Sequence, residues 1–249
     1  NAEADRRITH QLYGGDIENR LKQEILLGVG GIRMLKALRL NTTIYHCNEG
    51  HAAFISLERL RVFMEEDKLN FSEAWEVVRS STLFTTHTPV PAGHDVFHED
   101  LLRTYFPHYP DRLNISWNDF MALGRFNAHD ANEKFSMSVL ATKLSQEVNG
   151  VSRIHGRVSQ EMFAGLYEGY YPQELHIGYV TNGVHLPTWA SKQWKLMYKK
   201  TFGEDYKWRQ LDYDMWAKIQ QVNDADIWET RKILKKQLID YVRVRLRMR

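Results

Sequence analysis

The apolar residues near the start of the chain repeat at helical spacing and then give way to a β-branched run. Over residues 17–38, apolar side chains recur three, four and seven positions apart with charged residues between them, which predicts a helix. Residues 42–47 are β-branched or aromatic and predict a strand. Asn48 follows as a suitable cap for an apolar helix over residues 52–64. A strand that leads directly into a helix is typical of a parallel α/β sheet.

The same alternation continues through residue 181. Amphipathic stretches and short β-branched runs follow one another, with Pro-Gly or Asn-Gly pairs at their ends. The predicted elements are a helix over 72–79, a strand over 82–86, a polar loop over 88–95, a helix over 133–145, a strand over 148–151, a helix over 158–166 and a strand over 176–181. We therefore expect an α/β fold over residues 1–211, with a Rossmann-like parallel sheet covered by helices on both faces and incomplete at its amino end.

Strands cease after residue 211 in this prediction. The apolar positions of the tail fall into two helical stripes. One stripe contains Met215, Trp216, Ile219 and Val222, and the other contains Ile227, Leu234, Leu238 and Tyr241. We expect residues 212–249 to form two helices that pack outside the sheet or against a missing partner domain. Because the chain has neither an initiator Met nor a polar tail, we expect it to be part of a longer protein.

Composition excludes several classes of protein. Hydrophobic residues at 43% and charged residues at 26% are ordinary for a globular domain. The 33 basic and 31 acidic residues leave a formal charge of only +2, so we expect no nucleic-acid partner. The apolar stretches are far shorter than the roughly 20 residues of a membrane helix, so we expect no membrane span. Cys47 is the single cysteine and cannot form an internal disulfide, which fits a reducing, cytoplasmic compartment.

Hydrogen-bonding residues cluster where the predicted strands end. They are Asn48, Glu49 and His51 after the first strand, His87 after the second, Asn149 and Arg153 around Val151 at the third, and Asn182 after the fourth. Because parallel strands open their carboxyl ends on one side of the sheet, we expect these residues to line one crevice. Such side chains suit the hydroxyls of a sugar. Taken singly, each of them could instead cap a helix or a turn.

Four long motifs at these strand ends resemble those of the α-glucan phosphorylases in order and in spacing, most closely the shorter bacterial and archaeal branch. The resemblance runs from about Gln11 to the end of the chain. The motifs are YHCNEGHAAF from Tyr45, TTHTPVPAGHD from Thr85, VNGVSRIHG from Val148 and TNGVHLPTW from Thr181.

The resemblance implies the two-domain GT-B glycosyltransferase fold, with the active site between two Rossmann-like domains and this chain in the amino-terminal one. It implies that His87 and Asn182 contact the 6-hydroxyl of a glucosyl unit and that Asn182 also reaches the 4-hydroxyl. Val151 would pack on the sugar. Asn48, Glu49 and His51 would support these contacts from behind.

The family's cofactor machinery has no counterpart in these motifs. The resemblance implies pyridoxal phosphate in the complete enzyme, bound by a carboxyl-terminal domain after Arg249, and a glycine-rich loop before Asn1. We therefore expect no catalytic, cofactor-binding or metal-binding residue within this chain. The implied partners are an α-1,4-glucan, phosphate or glucose 1-phosphate, and the missing domain, while the oligomeric state stays open.

Three other features imitate functional motifs. The Gly28-Val29-Gly30-Gly31 run resembles a phosphate loop, but no strand precedes it, so close helix packing explains it better. His94 and His98 have the spacing of metal ligands but lack the glutamate of a zinc-protease motif. Lys143 and Lys192 lack the sequence context of a pyridoxal lysine.

The leading interpretation is phosphorolysis, in which phosphate releases terminal α-1,4-glucosyl units as glucose 1-phosphate with retention. One alternative is a nucleotide-sugar glucan synthase, which shares the GT-B fold; the Thr86-His87-Thr88-Pro89 strand end and the Asn182-Gly183 turn favour a phosphorylase instead. Another is a non-catalytic glucan-binding or regulatory module. The sequence leaves the preferred glucan open among glycogen, starch and maltodextrin.

Overall fold

Two compact units make up the chain, Asn1–Asn182 and Gly183–Arg249. The computed structural model describes residues 3–11, 15–90 and 93–248. The boundary expected between residues 211 and 212 concerns the domains of a longer protein and stays a prediction. The two units are described separately below.

A four-stranded parallel sheet forms the centre of the first unit and confirms the predicted α/β class. Its strands are β1 (Tyr45–Asn48), β2 (Thr82–Thr86), β5 (Glu147–Gly150) and β6 (Ile177–Tyr179), in the order β1-β2-β5-β6. All three neighbouring pairs are parallel. The first and last strands are shorter than predicted. Residues 42–44 are exposed and lie outside β1, and β6 covers only Ile177–Tyr179 of the predicted residues 176–181.

One row of register partners shows how the sheet enters the core. Cys47, Phe84, Val148 and Ile177 lie side by side across the four strands, and each is at most 3% exposed. Successive residues of a strand point to opposite faces, so the neighbouring row, Asn48, Thr85, Asn149 and Gly178, faces the other way. Because of this alternation, the apolar row packs into the core, and the row that contains Asn48, Thr85 and Asn149 lies on the other face of the sheet.

Helices flank this sheet. Those of the first unit are α1 (Glu3–Arg6), α2 (Ile17–Ile25), α3 (Gly31–Ala37), α4 (Phe54–Glu65), α5 (Phe71–Ser80), α6 (Glu99–Tyr105), α7 (Tyr109–Arg112), α8 (Trp117–Ala122), α9 (Met137–Lys143) and α10 (Arg153–Phe163). Four phenylalanines from α4, the end of α6, α8 and the segment before α9 pack ring against ring; they are Phe54, Phe106, Phe120 and Phe135.

The long helix predicted over residues 17–38 is present but changes its winding. A π-helical turn, Leu26–Gly30, joins α2 to α3. Gly28 lies there against α4, and an added Cβ would stand 2.6 Å from the Phe54 Cβ. Within the glycine run, Gly28 therefore serves the close helix packing that was predicted.

The helix predicted over residues 133–145 was wrong at its start. Residues Phe135–Ser136 form strand β4, which pairs antiparallel with β3 (Val96–Phe97). Helix α9 begins only at Met137, because the Ser136 hydroxyl accepts the Val139 N–H and ends the extended segment. Phe97 and Phe135 are both fully buried, so tertiary packing overrides the helical spacing.

The second unit is helical, as expected for the tail. Its helices are α11 (Leu186–Trp189), α12 (Lys192–Phe202), α13 (Tyr213–Ala217) and α14 (Asp224–Arg247). Phe202, Tyr206 and Met215 form its small core, and Trp216 packs edge-on against Phe202 at 5.0 Å. Trp228 on α14 is 61% exposed. Within the part of the chain that the structure describes, no helix is long and apolar enough to cross a membrane.

Candidate active site

The four predicted sugar-side positions lie at the carboxyl ends of four adjacent parallel strands. Asn48 is the last residue of β1, His87 directly follows β2, Val151 directly follows β5, and Asn182 comes three residues after β6. Because all four strands run in one direction, these residues share one edge of the sheet. His87 and Asn182 are exposed there, and Val151 is half-buried.

Two neighbours fix His87. Its Nε2 lies 2.8 Å from Asn48 Oδ1, so the ring N–H donates to the amide oxygen, and its backbone N–H donates to Glu49 Oε1 at 2.5 Å. The prediction that Asn48 caps the next helix was therefore wrong. The short 3-10 turn after it, Gly50–Ala52, has no side-chain cap, and the Asn48 amide orients His87 instead.

Glu49 has a backbone conformation that non-glycine residues rarely adopt, with φ 74°. Conformations of this kind cost about 1 to 3 kcal/mol and persist where the surroundings hold them. Here the Glu49 N–H donates to Thr85 O at 2.9 Å, which continues the β1–β2 pairing. The turn brings the carboxylate back to His87. Glu49 Oε2 is buried and has no hydrogen-bond partner among the described residues.

His51 is half-buried behind this pair. Burial, and then the nearby Arg20 guanidinium, lower the pKa of His51 below its usual value. Arg20 donates from Nε and Nη2 to the two oxygens of Asp95, at 3.2 and 2.8 Å. Asp95 ends the loop that follows β2, so helix α2 holds that loop by an ion pair. In the sequence, Arg20 is only one of the charged residues between the apolar positions of the helix predicted over 17–38.

A second carboxyl group, Glu24, lies next to this ion pair and is only 1% exposed. Arg20 Nε is 2.9 Å from Glu24 Oε1, yet its N–H is directed to Asp95, and neither Glu24 oxygen accepts a hydrogen bond from a described donor. Burial, and then the Asp95 charge, raise the pKa of Glu24 to about 9. The raised pKa favours the neutral, protonated form of Glu24 beside Asp95, whose own pKa is lowered.

A polar ladder crosses three strands just before the edge. His46 Nε2 lies 2.7 Å from Thr85 Oγ1, and that hydroxyl donates to Asn149 Oδ1 at 3.1 Å. Thr85 and Asn149 are at most 9% exposed, so these bonds satisfy polar groups that water cannot reach. The ladder links β1, β2 and β5 through their side chains at this end of the sheet.

The structure assigns ordinary roles to the features that imitate functional motifs. His94 bridges Ser138 Oγ at 2.7 Å and Thr88 O at 2.9 Å, which fixes the loop after β2. No group of three or more His, Cys, Asp or Glu side chains among residues 3–11, 15–90 and 93–248 could hold a metal ion. Lys143 donates to the backbone oxygens of Ala122 and Arg125 at 2.7 and 2.6 Å. Lys143 therefore joins α9 to the end of α8 and the segment after it.

Comparison with known proteins identifies the family of the chain. The carbohydrate phosphorylase family model matches residues 32–248. A glycogen phosphorylase of Mycobacterium tuberculosis is 42% identical over 253 residues, covering 97% of this chain and 29% of that protein. A maltodextrin phosphorylase of Thermococcus litoralis is 36% identical over 254 residues, covering 100% of this chain and 29% of that protein. A glycogen phosphorylase of Aquifex aeolicus is 31% identical over 249 residues.

The fold and these matches define an α/β segment that fits the amino-terminal domain of the GT-B fold. The chain belongs to the carbohydrate phosphorylase family. It spans about 29% of the length of the mycobacterial and Thermococcus relatives.

Proposed function

We propose that this chain forms the sugar-side wall of an α-glucan phosphorylase that releases terminal α-1,4-glucosyl units as glucose 1-phosphate with retention. The proposal rests on one observation, that His87, Val151 and Asn182 all lie at one edge of four adjacent parallel strands. The relatives' names point to glycogen or maltodextrin as the glucan.

In this proposal the exposed side chains of His87 and Asn182 bind the glucosyl hydroxyls. Asn48 accepts from His87 Nε2, and Glu49 accepts from the His87 backbone N–H, so the ring is oriented before the sugar arrives. A preoriented donor or acceptor loses no energy in reorganising when charge develops on the sugar. Val151 gives the ring an apolar contact next to these polar groups.

Pyridoxal phosphate is the cofactor we propose for the complete enzyme, where its phosphate group supplies acid-base chemistry. Lys143, a partly buried lysine, donates to two backbone carbonyls, so we assign cofactor binding to residues outside this segment. We place the complete enzyme in the cytoplasm, which fits the buried free thiol of Cys47.

The test is the kinetics of a complete phosphorylase that contains this segment, with His87→Ala and Asn182→Ala. Each change should lower kcat/KM by a factor that corresponds to about 1 to 3 kcal/mol of lost transition-state stabilisation, because a substrate hydroxyl loses its hydrogen-bond partner in a site closed to water. The loss should appear with glucan and with glucose 1-phosphate alike, since both place a glucosyl unit in the same subsite.

His176→Ala is the matched control. His176 is exposed and lies just before β6, at the opposite end of the strand from Asn182. It should leave kcat/KM unchanged. A folded His87→Ala or Asn182→Ala variant with full efficiency would show that the residue orients the loop and does not touch the sugar.

A further inference from the structure

The imidazole of His155 lies directly over the end of strand β5. Helix α10 starts two residues after Val151, and the Ser152 hydroxyl caps it by accepting the His155 N–H at 3.2 Å. This tight first turn folds the His155 side chain back toward the strand. There His155 Nδ1 accepts the backbone N–H of Val151 at 3.2 Å.

Only glycine permits this arrangement at the last position of β5. A Cβ added to Gly150 would stand 2.8 Å from His155 Nδ1 and 2.8 Å from the Gly156 backbone nitrogen. A Cβ on Gly156 would in turn stand 2.9 Å from Gly178 O on β6. Helix α10 is therefore pressed against two strands, and the ring has no room to turn away.

The hydrogen bond also defines the protonation state of the ring. Because Nδ1 accepts, the proton of the neutral ring is on Nε2. His155 is 9% exposed, and burial lowers its pKa below the usual value, which keeps the ring neutral and Nδ1 able to accept. Protonation at Nδ1 would place two N–H donors face to face.

We propose that His155 is a positioning residue of the glucosyl site: its Nδ1 holds the peptide N–H of Val151, and thereby holds the Val151 side chain where it meets the sugar ring. The inference rests on the proposed function, since Val151 has its sugar contact there. A His that only filled the core would need no acceptor at Nδ1. Here Nδ1 accepts from the backbone N–H of Val151, the residue between β5 and α10 whose side chain lies at the edge of the site.

The experiment compares two substitutions in a complete phosphorylase that contains this segment. His155→Asn keeps an acceptor, because the asparagine Oδ1 takes the place of Nδ1, whereas His155→Leu removes it. His155→Leu should lower kcat/KM about tenfold with both glucan and glucose 1-phosphate. His155→Asn should recover most of that loss.

Ser159→Ala is the control for simple damage to α10. The Ser159 hydroxyl is buried and donates to His155 O at 2.8 Å, on the same helix but away from the imidazole. It should lower Tm without lowering kcat/KM. Equal losses in the Leu and Asn variants, or a loss in Ser159→Ala as large as that in His155→Leu, would overturn the positioning role.

Maltodextrin affinity, measured by calorimetry on the same variants, separates this inference from the proposed function. If the complete enzyme shows no phosphorolysis, the proposed function fails, but weaker binding in His155→Leu with recovery in His155→Asn still supports the positioning of Val151. If phosphorolysis is present and His155→Leu retains both kcat/KM and affinity, the inference fails while the proposed function stands.

Discussion

At the scale of single residues, the site is a set of side chains held by partners that are distant in sequence. Asn48 and Glu49 are consecutive, and each fixes a different part of His87. Behind them, Arg20 joins helix α2 to the loop after β2 through Asp95. The buried Glu24 next to this pair has the least favourable environment for a charge, and its titration gives a direct test.

Glu24 should make the stability of the protein fall as pH rises. Its pKa is raised from 4.5 in the unfolded chain to about 9 in the folded protein. The stabilising contribution is therefore complete below pH 4.5 and is lost progressively as the pH rises toward 9. Glu24→Gln keeps the shape without the charge and should raise the free energy of unfolding by about 1 to 3 kcal/mol at pH 8.

Urea unfolding at pH 5 and at pH 8 measures this effect. The difference between Glu24→Gln and the parent chain should be small at pH 5 and large at pH 8. Glu18→Gln is a control on the same helix, because the Tyr105 hydroxyl and Lys22 lower the pKa of the half-buried Glu18, so its charge is the same at both pH values. A Glu24→Gln difference that does not change between the two pH values would mean that Glu24 is charged in the folded protein.

At the scale of elements, the π-helical turn between α2 and α3 sets how closely that helix approaches α4. Gly28 and Gly31 lie in the same glycine run but in different surroundings. A Cβ on Gly28 would stand 2.6 Å from the Phe54 Cβ and 2.9 Å from the Ile55 nitrogen, whereas a Cβ on Gly31 would meet nothing within 4 Å. Backbone and a buried ring cannot yield as a flexible side chain can.

Gly28→Ala should therefore destabilise the protein by about 1 to 3 kcal/mol, because α4 must shift to make room. Gly31→Ala should stabilise it by about 0.5 to 1 kcal/mol, because alanine favours the helix and the site is open. Urea unfolding midpoints of the two variants measure both values. Equal midpoints would show that Gly28 does not set the distance between the helices.

At the scale of the whole molecule, the residues that we propose contact the sugar lie on one edge of one sheet, in a chain that covers about 29% of its mycobacterial relative. A glucan that meets one wall buries only part of its surface. Association itself costs at least about 4 kcal/mol, so little net affinity remains. Phosphorolysis also needs groups that we assign to other parts of the complete enzyme.

The isolated 249-residue chain should therefore bind maltodextrin with a Kd of about 1 mM or weaker. It should release no glucose 1-phosphate from glucan and phosphate, and it should show no visible aldimine band with pyridoxal phosphate. Calorimetry, a coupled enzyme assay and an absorption spectrum measure the three quantities. Micromolar affinity or measurable phosphorolysis would refute the assignment of a single wall to this chain.

The sequence predicted the elements that depend on local pattern. The β2 strand, the helix before it and the helical tail follow from alternation and from 3.6-residue spacing, and Thr82–Thr86 has the predicted bounds. The resemblance of the sequence to the phosphorylases indicated His87, Val151 and Asn182 as site residues. Because parallel strands share a direction, their common edge also followed from the order of the elements.

Tertiary structure alone decided the rest, because those features depend on partners far apart in sequence. Phe135 became a strand residue through pairing with Phe97, and Asn48 turned to His87 instead of capping a helix. The Arg20–Asp95 ion pair joins residues 75 positions apart. Sequence periodicity indicates which face of an element a side chain occupies, but it does not indicate which distant group packs against that face. The hydrogen bonds that His87 and Arg20 make in this site join residues far apart in sequence, so only the folded chain shows them.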